Sequence, residues 1–328
     1  MYHKILPRDE AAKYPLKNLV VTDDVFEAQV QWLAEHAHCT TLRDAMKAGT
    51  DSTEVTAVTA SNGNGRAASA DRPTVVLTFD DGYLDNAEIA APILDRHGVP
   101  GTFFLATDFI EGTPLWFDRA ALLFTTVPGA ELQQIVEERL NQLDSSSRPI
   151  ANQRLDAWMG SLKRVGKDTR DSVLDAVEQA TGLDGVREWR FRPMSVDQVR
   201  EMHNRGHEVA SHTVTHPILP ELDPDQQHRE LAESRSRIES WIGAPVEGIC
   251  YPNGDFDDHT LTAARSCGYT YGCVTDRGRH DPARDDAYRV RRRMISQSNT
   301  TNRRDRLDPA IFRAEVAGVF ESIKRLKP

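Results

Sequence analysis

The chain has 328 residues, 39% hydrophobic and 27% charged, the make-up of an ordinary globular protein with room for one large domain or two smaller ones. Its formal net charge of −10 argues against nucleic acid or an anionic membrane surface as partner. No run approaches the roughly 18 apolar residues of a transmembrane helix. The opening "MYHKILPRDEAAKYP" has no apolar h-region, which predicts a cytoplasmic protein unless a longer precursor is exported. Cys39, Cys250, Cys267 and Cys273 form no CxxC pair, so a disulfide framework or thiolate zinc site is not expected.

In chain order, Val20 to Ala48 carries helical periodicity, with Phe26, Val30, Leu33 and Ala34 on one face and a second helix ending at Gly49. The following "TDSTEVTAVTASNGNGRAASADRP" has little to bury and predicts a mobile loop or linker. We therefore divide the chain into an N-terminal strand, helix and loop segment at 1–72 and a main domain at 73–328.

From Thr74 the texture changes. "TVVLTF", "GTFFLAT", "HEVASHT", "VEGICYP" and "YTYGCVT" predict strands, each separated from the next by one or more amphipathic helices. Strands alternating with helices predict βα units and a parallel sheet, closed or partly closed into a barrel rather than doubly wound. Residues from about 113 to 192 break the rhythm with three successive helices and no strand, an insertion placed to form a lid or substrate wall.

Three motifs lie at strand C-terminal ends, where βα folds gather their chemistry. The first is Asp80-Asp81-Gly82. The second is "SHTVTHP", with His212 and His216 four residues apart. The third is "YPNGDF", residues 251–256. Two histidines and a carboxylate with an open position are the layout of a catalytic divalent-metal site, zinc being the commonest occupant.

"TFDDGY", "SHTVTHP" and "YPNGDF", in this order, resemble the polysaccharide deacetylase family, the NodB-homology or carbohydrate esterase family 4 domain, over residues 74 to about 295. The resemblance implies a distorted (β/α)7 barrel with a helical insertion. It implies Asp80 as general base and Asp81, His212 and His216 as ligands of Zn2+ or of a similar ion such as Co2+ or Ni2+. It also implies a backbone N–H, here that of Asn253, as an oxyanion donor. The expected substrate is an N-acetylated sugar of a polysaccharide or glycolipid; the oligomeric state stays open. On the same scaffold, a C–N hydrolase of a small amide or cyclic ureide is an alternative, and so is a non-catalytic carbohydrate-binding protein.

The match departs from the pattern in two places. Where many members carry an arginine that tethers the base, this chain has Cys250; "RVRRRM", with Arg289, Arg291, Arg292 and Arg293, is the nearest substitute, and strand alternation puts Arg291 and Arg293 together on one face and Arg292 on the other. The late histidine that serves as general acid is missing, which leaves His3 as a possible replacement. Tyr251, Pro252, Trp116 and Phe117 are the expected substrate contacts, the last two as a platform for a sugar face.

Overall fold

The alternating apolar runs become parallel strands in the computed structural model, which describes residues 1–51, 72–143, 154–183, 189–276, 280–281 and 284–318. The polar stretch read as a mobile loop lies mostly outside the described residues. Strand β1 (Lys4–Leu6) is followed by helix α1 (Arg8–Ala11), strand β2 (Val20–Thr22), which pairs with β1, and helix α2 (Asp23–His36). Next come β3 (His38–Cys39) and α3 (Leu42–Asp51).

"TVVLTF" is two strands rather than one. Strand β4 (Thr74–Val75) pairs with β3, and β5 (Leu77–Phe79) enters the main sheet. Helix α4 (Ala91–Arg96) leads to β6 (Gly101–Leu105), short helix α5 (Thr107–Ile110) and the insertion: α6 (Trp116–Thr126), α7 (Gly129–Gln142), α8 (Leu155–Lys163) and α9 (Lys167–Thr181). The βα rhythm then resumes. It runs through α10 (Val196–Asn204), β7 (Glu208–Ser211), α11 (Pro224–Ile242), β8 (Gly248–Cys250), α12 (Asp258–Ser266), β9 (Tyr271–Val274), β10 (Val290–Arg291) and α13 (Pro309–Ala317).

The main sheet has six parallel strands in the order β10-β9-β8-β7-β6-β5. Its two outer strands are bridged by the start of the chain. Tyr2 N–H donates to the Thr78 carbonyl at 2.7 Å, Asp80 N–H donates to the Tyr2 carbonyl at 3.0 Å, and Ile295 N–H donates to the Met1 carbonyl at 2.9 Å. This closure gives the distorted (β/α)7 barrel, with β5, the open edge of the sheet, covered by backbone. Aromatic packing supports the seam. Phe79 stacks on Phe103 at 4.6 Å and on Tyr2 at 5.4 Å, while Phe26 meets Tyr2 edge-on. Each of these rings is buried, worth roughly 1.5–3 kcal/mol apiece.

Two polar pins hold the N-terminal segment to the barrel. Glu208 accepts the Arg43 N–H at 2.9 Å and the Thr102 hydroxyl at 2.8 Å, so a β7 carboxylate caps α3. Lys4, fully buried, lies 2.8 Å from Asp85 and over the Tyr83 ring. The insertion has its own apolar core around Trp158, Leu132, Val136 and Val173. It is tied to the barrel where Tyr14 and Tyr83 both donate to Asp118, at 2.6 and 2.8 Å. Among the described residues no helix is long and apolar enough to cross a membrane.

Candidate active site

Strand β5 carries Phe79 into the core and delivers Asp80 and Asp81 at its C-terminal end, both nearly inaccessible to solvent. Asp81 adopts φ = 79°, a conformation that costs energy for a residue with a side chain. Gly82 follows with φ = 99°, and a Cβ there would come within 2.7 Å of Ile110. The glycine of the motif is therefore a steric requirement of the turn that aims the two carboxylates.

His212 extends β7, and His216 follows after a loop in which Thr213 and His216 both have positive φ. Their Nε2 atoms lie 3.5 and 3.4 Å from Asp81 Oδ1. Ligands spread tetrahedrally at zinc–ligand bond lengths sit about 3.3 Å apart, so this spacing fits one ion. Both Asp81 carboxylate oxygens are buried without a hydrogen-bond partner, a costly state that a cation would relieve. The His212 Nδ1–H donates to the Cys250 carbonyl at 2.7 Å, which fixes the tautomer that leaves Nε2 as a lone-pair donor. Burial lowers the His216 pKa to about 3, so its ring is neutral, as ligation requires. Asp80, His212 and Cys250 also cluster, but Arg292 already engages both Asp80 and Cys250. The Asp81 trio is therefore the candidate cation site.

Arg292 supplies the tether. Its Nη1 donates to Asp80 Oδ1 at 2.6 Å and its Nη2 to Asp80 Oδ2 at 2.8 Å, a bidentate clamp inside the barrel. Nη2 also lies 2.8 Å from Cys250 Sγ, so the thiol fills the place of the family's arginine and contacts its replacement. Burial pushes the Asp80 carboxyl up, but Arg292 outweighs it and holds the group well below the usual carboxylate range. Arg291 and Arg293, expected to face the site, do not. Arg291 is exposed, 3.9 Å from Asp285, and Arg293 packs against Gly318 at the end of α13. Alternation itself holds, since Arg292 between them is buried; the inward face is the one that carries Arg292.

His3 does reach the centre. Its Nε2 is 4.0 Å from Asp80 Oδ2, and its carbonyl accepts from the Asn86 amide. Burial lowers its pKa against the pull of Asp81 and Asp80.

The third motif is split between core and site. Tyr251, expected at the substrate, is fully buried beside Phe256 and over Gly272, where a Cβ would collide with its hydroxyl; Pro252 is buried as well. Asn253 has φ = 57°, its carbonyl accepts from Thr275, and its Oδ1 accepts from Lys163 of α8 at 2.8 Å. The insertion thus touches the loop directly, a contact that no local pattern announces. Phe117 lies against the His216 ring at 5.2 Å, while Trp116 turns into the insertion and stacks under the Arg170 guanidinium at 4.4 Å.

Comparison with known proteins agrees with this geometry. The family model described as polysaccharide deacetylase matches residues 67–152 and 166–272. YxkH of Bacillus subtilis (strain 168), which carries a polysaccharide deacetylase name, is 22% identical over 204 residues, 62% of this chain and 45% of that protein. The chain therefore matches less than half the length of this relative. Among solved structures, the Streptococcus pyogenes deacetylase PplD in complex with acetate superposes with a TM-score of 0.59 at 19% identity, covering 96% of both chains. A polysaccharide deacetylase from Bacillus cereus gives 0.57 at 19% identity, covering 96% of this chain and 67% of that one. A de-N-acetylase from Aggregatibacter actinomycetemcomitans gives 0.55 at 16% identity, covering 90% and 93%. At these identities the structural likenesses speak for the fold.

Proposed function

This chain belongs to the polysaccharide deacetylase family, and from that premise we propose that it is a metal-dependent hydrolase that removes N-acetyl groups from a sugar of a polysaccharide or glycolipid. One observation carries the reading: an Asp81, His212 and His216 trio with unpartnered carboxylate oxygens lies beside a second, clamped carboxylate. Zinc, cobalt or nickel suits two imidazoles and a carboxylate. The chemistry such an ion supplies is acidification of water and polarisation of the acetyl carbonyl.

The chain's own residues divide the remaining work. Asp80, kept ionised and oriented by Arg292, accepts the proton of the attacking water. The Asn253 N–H, held in its left-handed turn by Thr275 and Lys163, donates to the oxygen that becomes negative. His3, close to Asp80, relays the proton that Asp80 takes from the water to the departing amine, in place of the missing late histidine. Phe117 walls the centre beside His216 and excludes water.

The decisive experiment is acetate release from a panel of N-acetylated glycans by the wild type and by Asp80→Asn. The variant should bind metal normally and lose about 10²–10⁴ in rate. Full acetate release by Asp80→Asn would overturn the mechanism. Chelation should abolish turnover, and added zinc, cobalt or nickel should restore it.

A further inference from the structure

Orphaned acceptors mark the cation site at Asp81, and orphaned donors mark a second place in the same molecule. Arg170 of α9 is 98% buried by its 2% exposure, yet its Nε and Nη1 have no hydrogen-bond partner. The Trp116 indole beneath it also holds a buried Nε1–H without an acceptor. A guanidinium carries five donors and no acceptor, so stacking satisfies its face and leaves its edge unmet. Nearby carboxylates do not answer it. Asp171 Oδ1 stands 3.9 Å from Nε and its other oxygen is paired with Lys167 at 2.9 Å, while Glu221 interacts with Arg170 only through space.

The place is connected to the chemistry. Arg170 lies on Trp116 at 4.4 Å, Trp116 meets Phe117 at 5.9 Å, and Phe117 meets the His216 ring at 5.2 Å. Glu221, which shares the field of Arg170, follows the His216 loop, and it also feels Asp255 of the third motif. Lys163 reaches that motif from the neighbouring helix. The insertion therefore places these unmet donors one aromatic contact, Phe117, away from the His216 ring.

We propose that Arg170 and the Trp116 indole form an oxyanion subsite that binds a carboxylate or phosphate substituent of the substrate beside the sugar being deacetylated. The substrate part of this statement rests on the deacetylase reading; the anion site itself does not. A planar guanidinium with its plane fixed by the indole is preorganised to donate to such a group. Specificity follows because a neutral sugar leaves these buried donors unpaired.

The test has two arms. Calorimetric titration of the metal-free protein with inorganic phosphate, and separately with glucuronate, should give saturable binding at one site per chain. Arg170→Gln should weaken it at least tenfold, Arg170→Lys less, and Trp116→Phe several-fold with the stack kept. The stronger of the two anions identifies the substituent class. In the second arm, Arg170→Gln should raise the KM ratio of acidic to neutral N-acetylated oligosaccharides about tenfold. Equal anion binding by wild type, Arg170→Gln and Trp116→Phe would overturn the proposal, as would a wild type that binds neither anion. If Arg170→Gln does not fold, the lysine and phenylalanine variants decide. Absence of acetate release with Arg170-dependent anion binding intact would defeat the deacetylase reading and leave this site standing.

Discussion

Arg292 grips Asp80 through two separate oxygens, at 2.6 and 2.8 Å, across 212 positions of sequence. The tether that the family resemblance puts on the strand of the third motif here comes from the residue after β10, and Cys250 lies against it. The pair is buried on both sides, so its geometry is protected from solvent and salt.

Replacing one partner should therefore be costly. Arg292→Met leaves an uncompensated buried carboxylate and should destabilise the fold by about 3–5 kcal/mol in urea unfolding. Arg292→Lys keeps the charge but loses the fork, so it should fold better and still lose at least about tenfold in acetate release. Wild-type activity in the lysine variant would show that the bidentate contact is not needed.

Metal content tests the trio independently of turnover. His216→Ala and Asp81→Ala should each reduce bound zinc, measured by elemental analysis after dialysis against the metal, whereas Asp80→Asn should not. Normal stoichiometry in both alanine variants would place the ion elsewhere.

His3 can be examined through the leaving group. His3→Gln should slow release of acetate from an N-acetyl sugar by about tenfold or more, because the departing amine needs a proton. It should slow 4-nitrophenyl acetate far less, since that leaving group departs as an anion. Equal losses on both substrates would assign His3 a positioning role only.

Glu208 sets a pH dependence away from the site. Burial raises its pKa from 4.5 to about 7, so the folded chain holds a proton that the unfolded chain releases. This contribution to stability is fully present below pH 4.5 and is lost as pH rises through 7, amounting to about 3 kcal/mol at most. Glu208→Gln, which stays neutral, should remove that slope. Urea unfolding at pH 5 and pH 8 checks it; an unchanged difference between wild type and variant across that range would contradict the assignment.

The fold was legible where the chemistry is local. "HEVASHT" and "GTFFLAT" alternate with amphipathic helices, as the sequence pattern predicts. The motif histidines and Asp81 could be brought together because both motifs follow the C-terminal ends of strands. "TVVLTF" misled because Val76 separates two strands that serve different sheets. Arg292 was passed over for Arg291 and Arg293 because alternation says which side chains share a face, not which face points inward. Tyr251 was misplaced because a motif residue can belong to the core while its neighbours face substrate. The Lys163 to Asn253 and Arg170 to Trp116 contacts join distant segments, which no local spacing encodes.

Closure of the barrel by Tyr2 between the Thr78 edge and the Ile295 segment has a kinetic side. During synthesis the first residues must wait, unpaired on one flank, until almost the whole chain has left the ribosome. Arg292 emerges in the same late interval, so a nascent chain has His3 and both aspartates long before it has the guanidinium that neutralises Asp80. Assembly of the candidate site and sealing of the ring are thus one late folding event, and a chain stalled before Arg292 should be protease-sensitive around Tyr2 and His3.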